Sequence, residues 1–199
     1  MLDPAQADEL PGGYDPALRN EAAHTTAAAL VHQGRANTDP EVVARLVSLV
    51  EREGLDVVAA LWSESQADSL PGALWRLYAL RAATVQNPER MAAYFREGRH
   101  VAQVQHVVAG VAEPPGADEL RSMADSILSG AFDGEFDVAL ERSAAYCRVV
   151  ALGQTHHADA AEHANEPHAS KLTRSARQLV KTAEDLEASA RAWRRGELV

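Results

Sequence analysis

Apolar side chains recur every three or four positions along most of the chain, which is the spacing of one face of an α-helix. No stretch shows the sustained apolar/polar alternation of a half-buried strand. The pattern predicts an all-α fold, a multi-helix bundle of about nine or ten helices with a long C-terminal helix. The predicted helices span residues 17–33, 40–53, 55–63, 71–85, 88–97, 99–110, 117–129, 135–152, 155–165 and 168–195.

Prolines and glycines set the boundaries of these predicted helices. Proline suits the first helical positions because its φ is preset and its missing amide hydrogen would go unpaired there, as at Asp39-Pro40 and Asn87-Pro88. Glycine suits the position after a helix because it takes the left-handed conformation cheaply. We therefore expect five glycines to end helices: Gly34, Gly54, Gly98, Gly130 and Gly153.

The segment 71–85 is apolar on nearly all sides, which predicts a helix through the middle of the core. Two arginines, Arg76 and Arg81, interrupt it. We expect their long stems to carry the guanidinium groups out to solvent. The alternative is that they pair with a carboxylate or an anionic ligand.

Residues 112–118, with two prolines and a glycine, form the clearest linker. At 199 residues the chain is long enough for one domain with a sizeable core, and we predict a single all-α domain over 1–199. The linker marks the alternative boundary, between subdomains 15–111 and 117–199.

The predicted C-terminal helix carries a strict heptad of apolar residues. Alanine at one seam position lets two backbones approach closely, and leucine or tryptophan fills the groove at the other. We expect this face to lie on the chain's own bundle; the alternative is a coiled-coil interface with a second copy or another protein. The alanines are Ala169, Ala176, Ala183 and Ala190, and the candidate interaction residues are Leu172, Leu179, Leu186 and Trp193.

The charge distribution indicates which classes of partner are disfavoured. The formal net charge of −10 disfavours binding to nucleic acid or to anionic membranes. Residues 168–199 hold seven Arg or Lys against four Asp or Glu, a net of +3, which leaves −13 on the rest. We expect the basic face of the last helix to meet an acidic body.

Three carboxylates, Asp133, Glu135 and Asp137, are interpreted as complements to the positive end of the helix dipole at the start of a helix.

Cys147 is the single cysteine, and the first ten residues lack the basic and apolar regions of a secretory signal. No apolar run approaches the ~20 residues needed to span a bilayer. These features predict a cytoplasmic protein with no membrane partner. The apolar surroundings of Cys147 favour a packed thiol over a nucleophile.

One polar cluster has the residue types of a metal site. On a helix over 155–165, the side chains of His156, Asp159 and His163 fall within about 60° of one another, and such a set can hold zinc. The competing interpretation is an exposed polar connector.

Glu97 and His100 have the Glu-x-x-His spacing of di-iron bundles, but Gly98 is expected to break their helix.

The segments SLPGALWRLYALR and VAGVAEPPG resemble stretches of uncharacterised actinobacterial helical proteins, over roughly residues 15–153. A bias of 17 Arg against 2 Lys, 39 Ala and one isoleucine fits such a GC-rich origin. The resemblance carries no activity and no functional residue.

The chain lacks the common nucleotide and hydrolase signatures, and the sequence predicts no cofactor. We therefore expect a non-catalytic helical interaction or regulatory protein. The alternatives are a metal-binding or catalytic bundle and a transcription-associated protein.

Overall fold

The computed structural model describes residues 16–36, 39–105, 116–161 and 165–199. These residues form nine α-helices and, within the described ranges, no strand, as the hydrophobic pattern predicts. The helices are α1 (Pro16–Ala36), α2 (Pro40–Val47), α3 (Leu49–Glu53), α4 (Leu55–Trp62), α5 (Leu70–Gln86), α6 (Pro88–Gln105), α7 (Ala117–Gly130), α8 (Phe136–Ala161) and α9 (Glu166–Arg194).

Helix α5 lies at the centre of the bundle and contacts α1, α4, α6, α7, α8 and α9. Its side chains Leu74 and Tyr78 are fully buried, which confirms the predicted central position. Ser69 caps its first turn by accepting a hydrogen bond from the Gly72 amide at 3.2 Å. Tyr78 donates to the Leu46 carbonyl of α2 at 2.6 Å, so its buried hydroxyl is satisfied.

Helices α8 and α9 form an antiparallel pair along their whole length. The start of α8 meets the end of α9, where the rings of Phe136 and Trp193 lie 4.8 Å apart. Near the middle of the pair, Arg148 donates to both carboxylate oxygens of Glu187 at 2.8 Å. At 29 residues, α9 is about 43 Å long at 1.5 Å per residue. Its buried alanines let the two backbones come close.

Two predicted helix ends are wrong, because α6 and α8 run unbroken through Gly98 and Gly153. The two helices cross at these residues. A Cβ on Gly98 would lie 1.8 Å from the Val149 carbonyl oxygen, and a Cβ on Gly153 would lie 1.8 Å from that of Tyr94. The glycines are therefore required for close approach of two backbones and not for a left-handed turn.

The other three glycines that the sequence places at helix ends differ from one another in conformation and in packing. Gly54 has φ of 89° and ends α3 as expected. Gly34 lies inside α1, where an added Cβ would be 2.7 Å from the Cβ of Phe132. Gly130 is the last residue of α7, but its φ is not positive. Close packing therefore explains Gly34, and the left-handed rule holds only at Gly54 among the five.

One hydrophobic core spans both sides of the predicted linker, because Leu74 and Tyr78 pack in the same cluster as Phe132 and Leu140. Most of the linker lies outside the described residues. None of the described helices combines the length and the apolarity that a bilayer crossing requires.

Candidate functional site

The predicted metal ligands point to different neighbours. His156 lies 3.2 Å from Glu97 of α6, measured from Nδ1 to Oε1. Asp159 instead lines a cleft between α8 and α9 with Glu166 and Arg177. His163 lies outside the described residues. Within the ranges that the structure describes, no three His, Cys, Asp or Glu side chains form a group that could hold a metal ion, so the set of three stays a prediction.

Glu97 and His156 meet beside the crossing of α6 and α8 at Gly98 and Gly153. The same crossing stacks Tyr94 edge-on against His157, with ring centroids 5.2 Å apart. The imidazole of His156 is exposed and Glu97 is half-buried. The contact between the two helices therefore offers two candidate metal ligands, whereas a zinc site usually has three or four ligands from the protein.

The heptad face of α9 is largely covered by the chain itself. Leu172 and Leu186 are buried, and Trp193 is half-buried against Phe136 with the Arg35 guanidinium 5.5 Å from its ring centroid. Leu179 is the other half-buried member. Because these contacts lie within one chain, a coiled coil with a second copy through Leu172 and Leu186 would require α9 to leave its own bundle.

The two arginines of α5 pair with carboxylates and do not extend freely into solvent. Arg76 donates to Asp185 of α9 at 3.3 Å. Arg81 is 7% exposed and donates to Glu51 and, at 2.6 Å, to Asp125. Although burial disfavours its charge, hydrogen bonds to these carboxylates raise the pKa of Arg81 above its usual value. The pairing alternative is correct for both side chains.

The charge match expected for α9 is confirmed at Arg194, which donates to Asp137 and Glu141 of α8 at 2.6 and 2.7 Å. At the middle of α9 the signs are reversed, since Glu187 pairs with Arg148 of the body. The contact between α9 and the body is thus held by ion pairs of both polarities.

An open cleft with a volume of about 940 Å³ lies between α2 and α7. Its α2 wall consists of Pro40, Val43, Ala44 and Val47, which occupy one helical stripe at spacings of three, one and three residues. The facing wall is polar and comes from α7, the turn after it and the start of α8. The charged residues of the cleft come from this wall, the end of α1 and the N-cap of α2: Arg35, Asp39, Asp125, Asp133, Glu135 and Arg142.

No protein-family model, curated protein sequence or solved structure matches the chain.

We name the cleft between α2 and α7 the acidic cleft, because its four carboxylates and two arginines give it a formal charge of −2. Some of these charges have partners: Asp125 accepts from Arg81, and Asp133 accepts from the Ser129 hydroxyl at 3.1 Å. Sequence reasoning interpreted Asp133 and Glu135 only as complements to a helix start. Their meeting with the apolar stripe of α2 depends on tertiary packing, so no local sequence signal reveals it.

The single cysteine is a packed thiol, as predicted. Cys147 is fully buried in the core. Burial raises the pKa of its thiol to about 12, well above the neutral range. Because the thiolate is the nucleophilic form, this side chain is unreactive at neutral pH.

Proposed function

We propose that the protein is a non-catalytic interaction protein whose acidic cleft binds a basic amphipathic helix of another protein. The observation that carries this proposal is the pairing of an apolar helical stripe with a carboxylate-rich wall across an open cleft of about 940 Å³. A helix lying in a groove presents apolar side chains at the same spacing, so it can pack against the stripe of α2.

Charge determines which kind of helix fits. The cleft carries −2 and the chain carries −10, so a cationic segment is attracted and an anionic one is repelled. Asp133 and Glu135 are exposed at the wall opposite α2. In this arrangement, lysine or arginine side chains of the bound helix meet these carboxylates while its apolar face covers Ala44 and Val47; Val43 is already buried in the chain's own core.

The test uses a fluorescently labelled amphipathic helix of leucine and lysine, with a leucine and glutamate helix of equal length as the anionic comparison. Fluorescence anisotropy should show binding of the cationic helix alone, with affinity that falls as salt is added. The variant D133K/E135K should lower affinity about tenfold or more, because two attractive carboxylates become repulsive.

The matched control is E89K/E184K, which changes the net charge equally at two exposed carboxylates outside the cleft. Its affinity should stay within about threefold of wild type. Equal losses in the two variants would mean that overall charge, and not the cleft, attracts the peptide, and the proposal would fail.

A second variant separates apolar contact from charge. Ala44 is an exposed member of the α2 stripe. Replacing it in Ala44→Glu makes the cleft more acidic, which should strengthen binding if charge alone acts. We expect weaker binding, because a carboxylate then faces the apolar side of the helix. Stronger binding would contradict the proposed orientation.

A further inference from the structure

The polar wall of the acidic cleft is not uniformly negative, because Arg142 of α8 belongs to it together with Asp133 and Glu135. Glu135 directly precedes α8, and its carbonyl accepts a hydrogen bond from the Ala139 amide of the first turn at 2.9 Å. Arg142 follows seven residues later, which places the two backbone positions about two helical turns, or about 10 Å, apart. The wall is therefore negative at the turn before α8 and positive two turns further along it.

Arg142 has an exposed guanidinium that forms no hydrogen bond or ion pair with any residue that the structure describes. The acidic residues closest to it along α8, Asp137 and Glu141, both accept from Arg194. Asp125, on the α7 side of the same wall, accepts from an arginine of α5 at 2.6 Å. The charge of Arg142 is thus left for a group that enters the cleft.

A cation at this point of an acidic cleft discriminates among basic helices. A helix that is basic along its whole polar face places a lysine beside Arg142, and this repulsion weakens binding. A helix with a carboxylate at that position replaces the repulsion by an ion pair. Because Glu135 and Arg142 are about 10 Å apart, the cation and the carboxylate that meet them are separated by about two turns of the bound helix.

We propose that the acidic cleft recognises an amphipathic helix of mixed charge, whose lysine or arginine side chains meet Asp133 and Glu135 and whose carboxylate meets Arg142. This inference rests on the proposed function and specifies the charge pattern of the partner. Arg142 is the specificity-determining residue.

The test starts from the labelled leucine and lysine helix and replaces each lysine in turn by glutamate. Each replacement makes the peptide less positive, so attraction to a chain of −10 alone predicts weaker binding at every position. We expect one exception, about two turns from the lysines that meet the negative end of the wall. There the glutamate helix should bind about 3- to 10-fold more tightly than the all-lysine helix, and a glutamine helix should have an intermediate affinity.

Charge reversal in R142E should invert this order. The all-lysine helix should then bind about 3- to 10-fold more tightly than it binds the wild type, and the selected glutamate helix should lose affinity by a similar factor. R142K keeps the charge and should keep the wild-type order. The matched control is R90E, at an exposed position of α6 outside the cleft, which changes the net charge equally and should leave the order of the peptides unchanged. Because Arg142 is exposed and unpaired among the described residues, R142E should retain the circular dichroism spectrum of the wild type.

Failure of this inference is distinguishable from failure of the proposed function. If the all-lysine helix binds and every glutamate position weakens binding, the cleft accepts a basic helix without recognising a carboxylate, and this inference alone is overturned. A preference for one glutamate position that survives in R142E would overturn it as well. If no helix of the series binds, the inference and the proposed function both fail.

Discussion

The crossing of α6 and α8 allows a strong prediction about two alanine substitutions. In an ordinary helix interior, Gly→Ala stabilises by roughly 1 kcal/mol because alanine restricts the unfolded chain and favours helix. At Gly98 and Gly153 the new methyl would stand 1.8 Å from a carbonyl oxygen of the other helix. Real Cβ atoms do not approach oxygen closer than about 3 Å, so the helices must separate by more than an ångström.

The magnitude follows from two opposing terms. Overpacking costs about 1–3 kcal/mol, and the upper end applies here because the obstructing atoms are backbone and cannot change rotamer. Helix propensity returns roughly 1 kcal/mol. We therefore expect Gly98→Ala and Gly153→Ala each to lower the free energy of unfolding by about 2 kcal/mol, or Tm by about 4–8 °C.

Gly130→Ala provides the matched control within the same protein. Gly130 also lies in a helix, but the nearest atom to its added Cβ would be the Ala139 Cβ at 3.8 Å, an ordinary contact. This variant should be neutral or up to about 1 kcal/mol more stable. Urea denaturation followed by circular dichroism measures all three. If Gly98→Ala or Gly153→Ala matched Gly130→Ala in stability, the close approach of α6 and α8 would be refuted.

Three further predictions test other contacts. Arg81→Met should lower the free energy of unfolding by about 1–3 kcal/mol in urea titrations, since it removes the hydrogen bonds to Glu51 and Asp125, and an unchanged midpoint would contradict the pairing. Cys147 should react with Ellman's reagent at pH 8 only after denaturation, because burial raises its pKa to about 12; rapid labelling of the native protein would show an accessible thiol. Arg194→Gln should lower Tm at pH 7, and the difference from wild type should vanish in strong acid. Hydrogen bonds from Arg194 lower the folded pKa of Asp137 and Glu141, so this stabilisation is present above their unfolded pKa values and is lost as pH falls through the folded ones; a difference independent of pH would exclude the ion pairs.

Most of the fold follows from local sequence signals. The apolar spacing and the prolines place most helices, and α2 begins at Pro40 as the Asp39-Pro40 pair predicts; the Asp39 side chain caps it by accepting from the Glu41 amide at 2.9 Å. The wrong helix ends at Gly98 and Gly153 share one physical cause. A glycine that ends a helix and a glycine that admits a second backbone look the same in sequence, because both needs are met by the missing Cβ. Gly98 and Gly153 can be assigned only once Val149 and Tyr94 are known to face them.

The same limit applies to Arg81, whose charge is expected at the surface until the fold brings Glu51 and Asp125 to it from two other helices.

The acidic cleft shows why site prediction from this sequence is harder than fold prediction. The cleft is lined by side chains from at least three helices, and no two lining segments form a recognisable motif. The heptad of α9 is uniform in sequence, yet Leu179 is only half-buried while Leu172 and Leu186 are buried. Periodicity determines which face of a helix turns inward, but the residues of other helices determine how completely that face is covered. At Leu179 the side chains of α5 leave the leucine half-covered, and this exception to the repeat becomes visible only when the helices are packed.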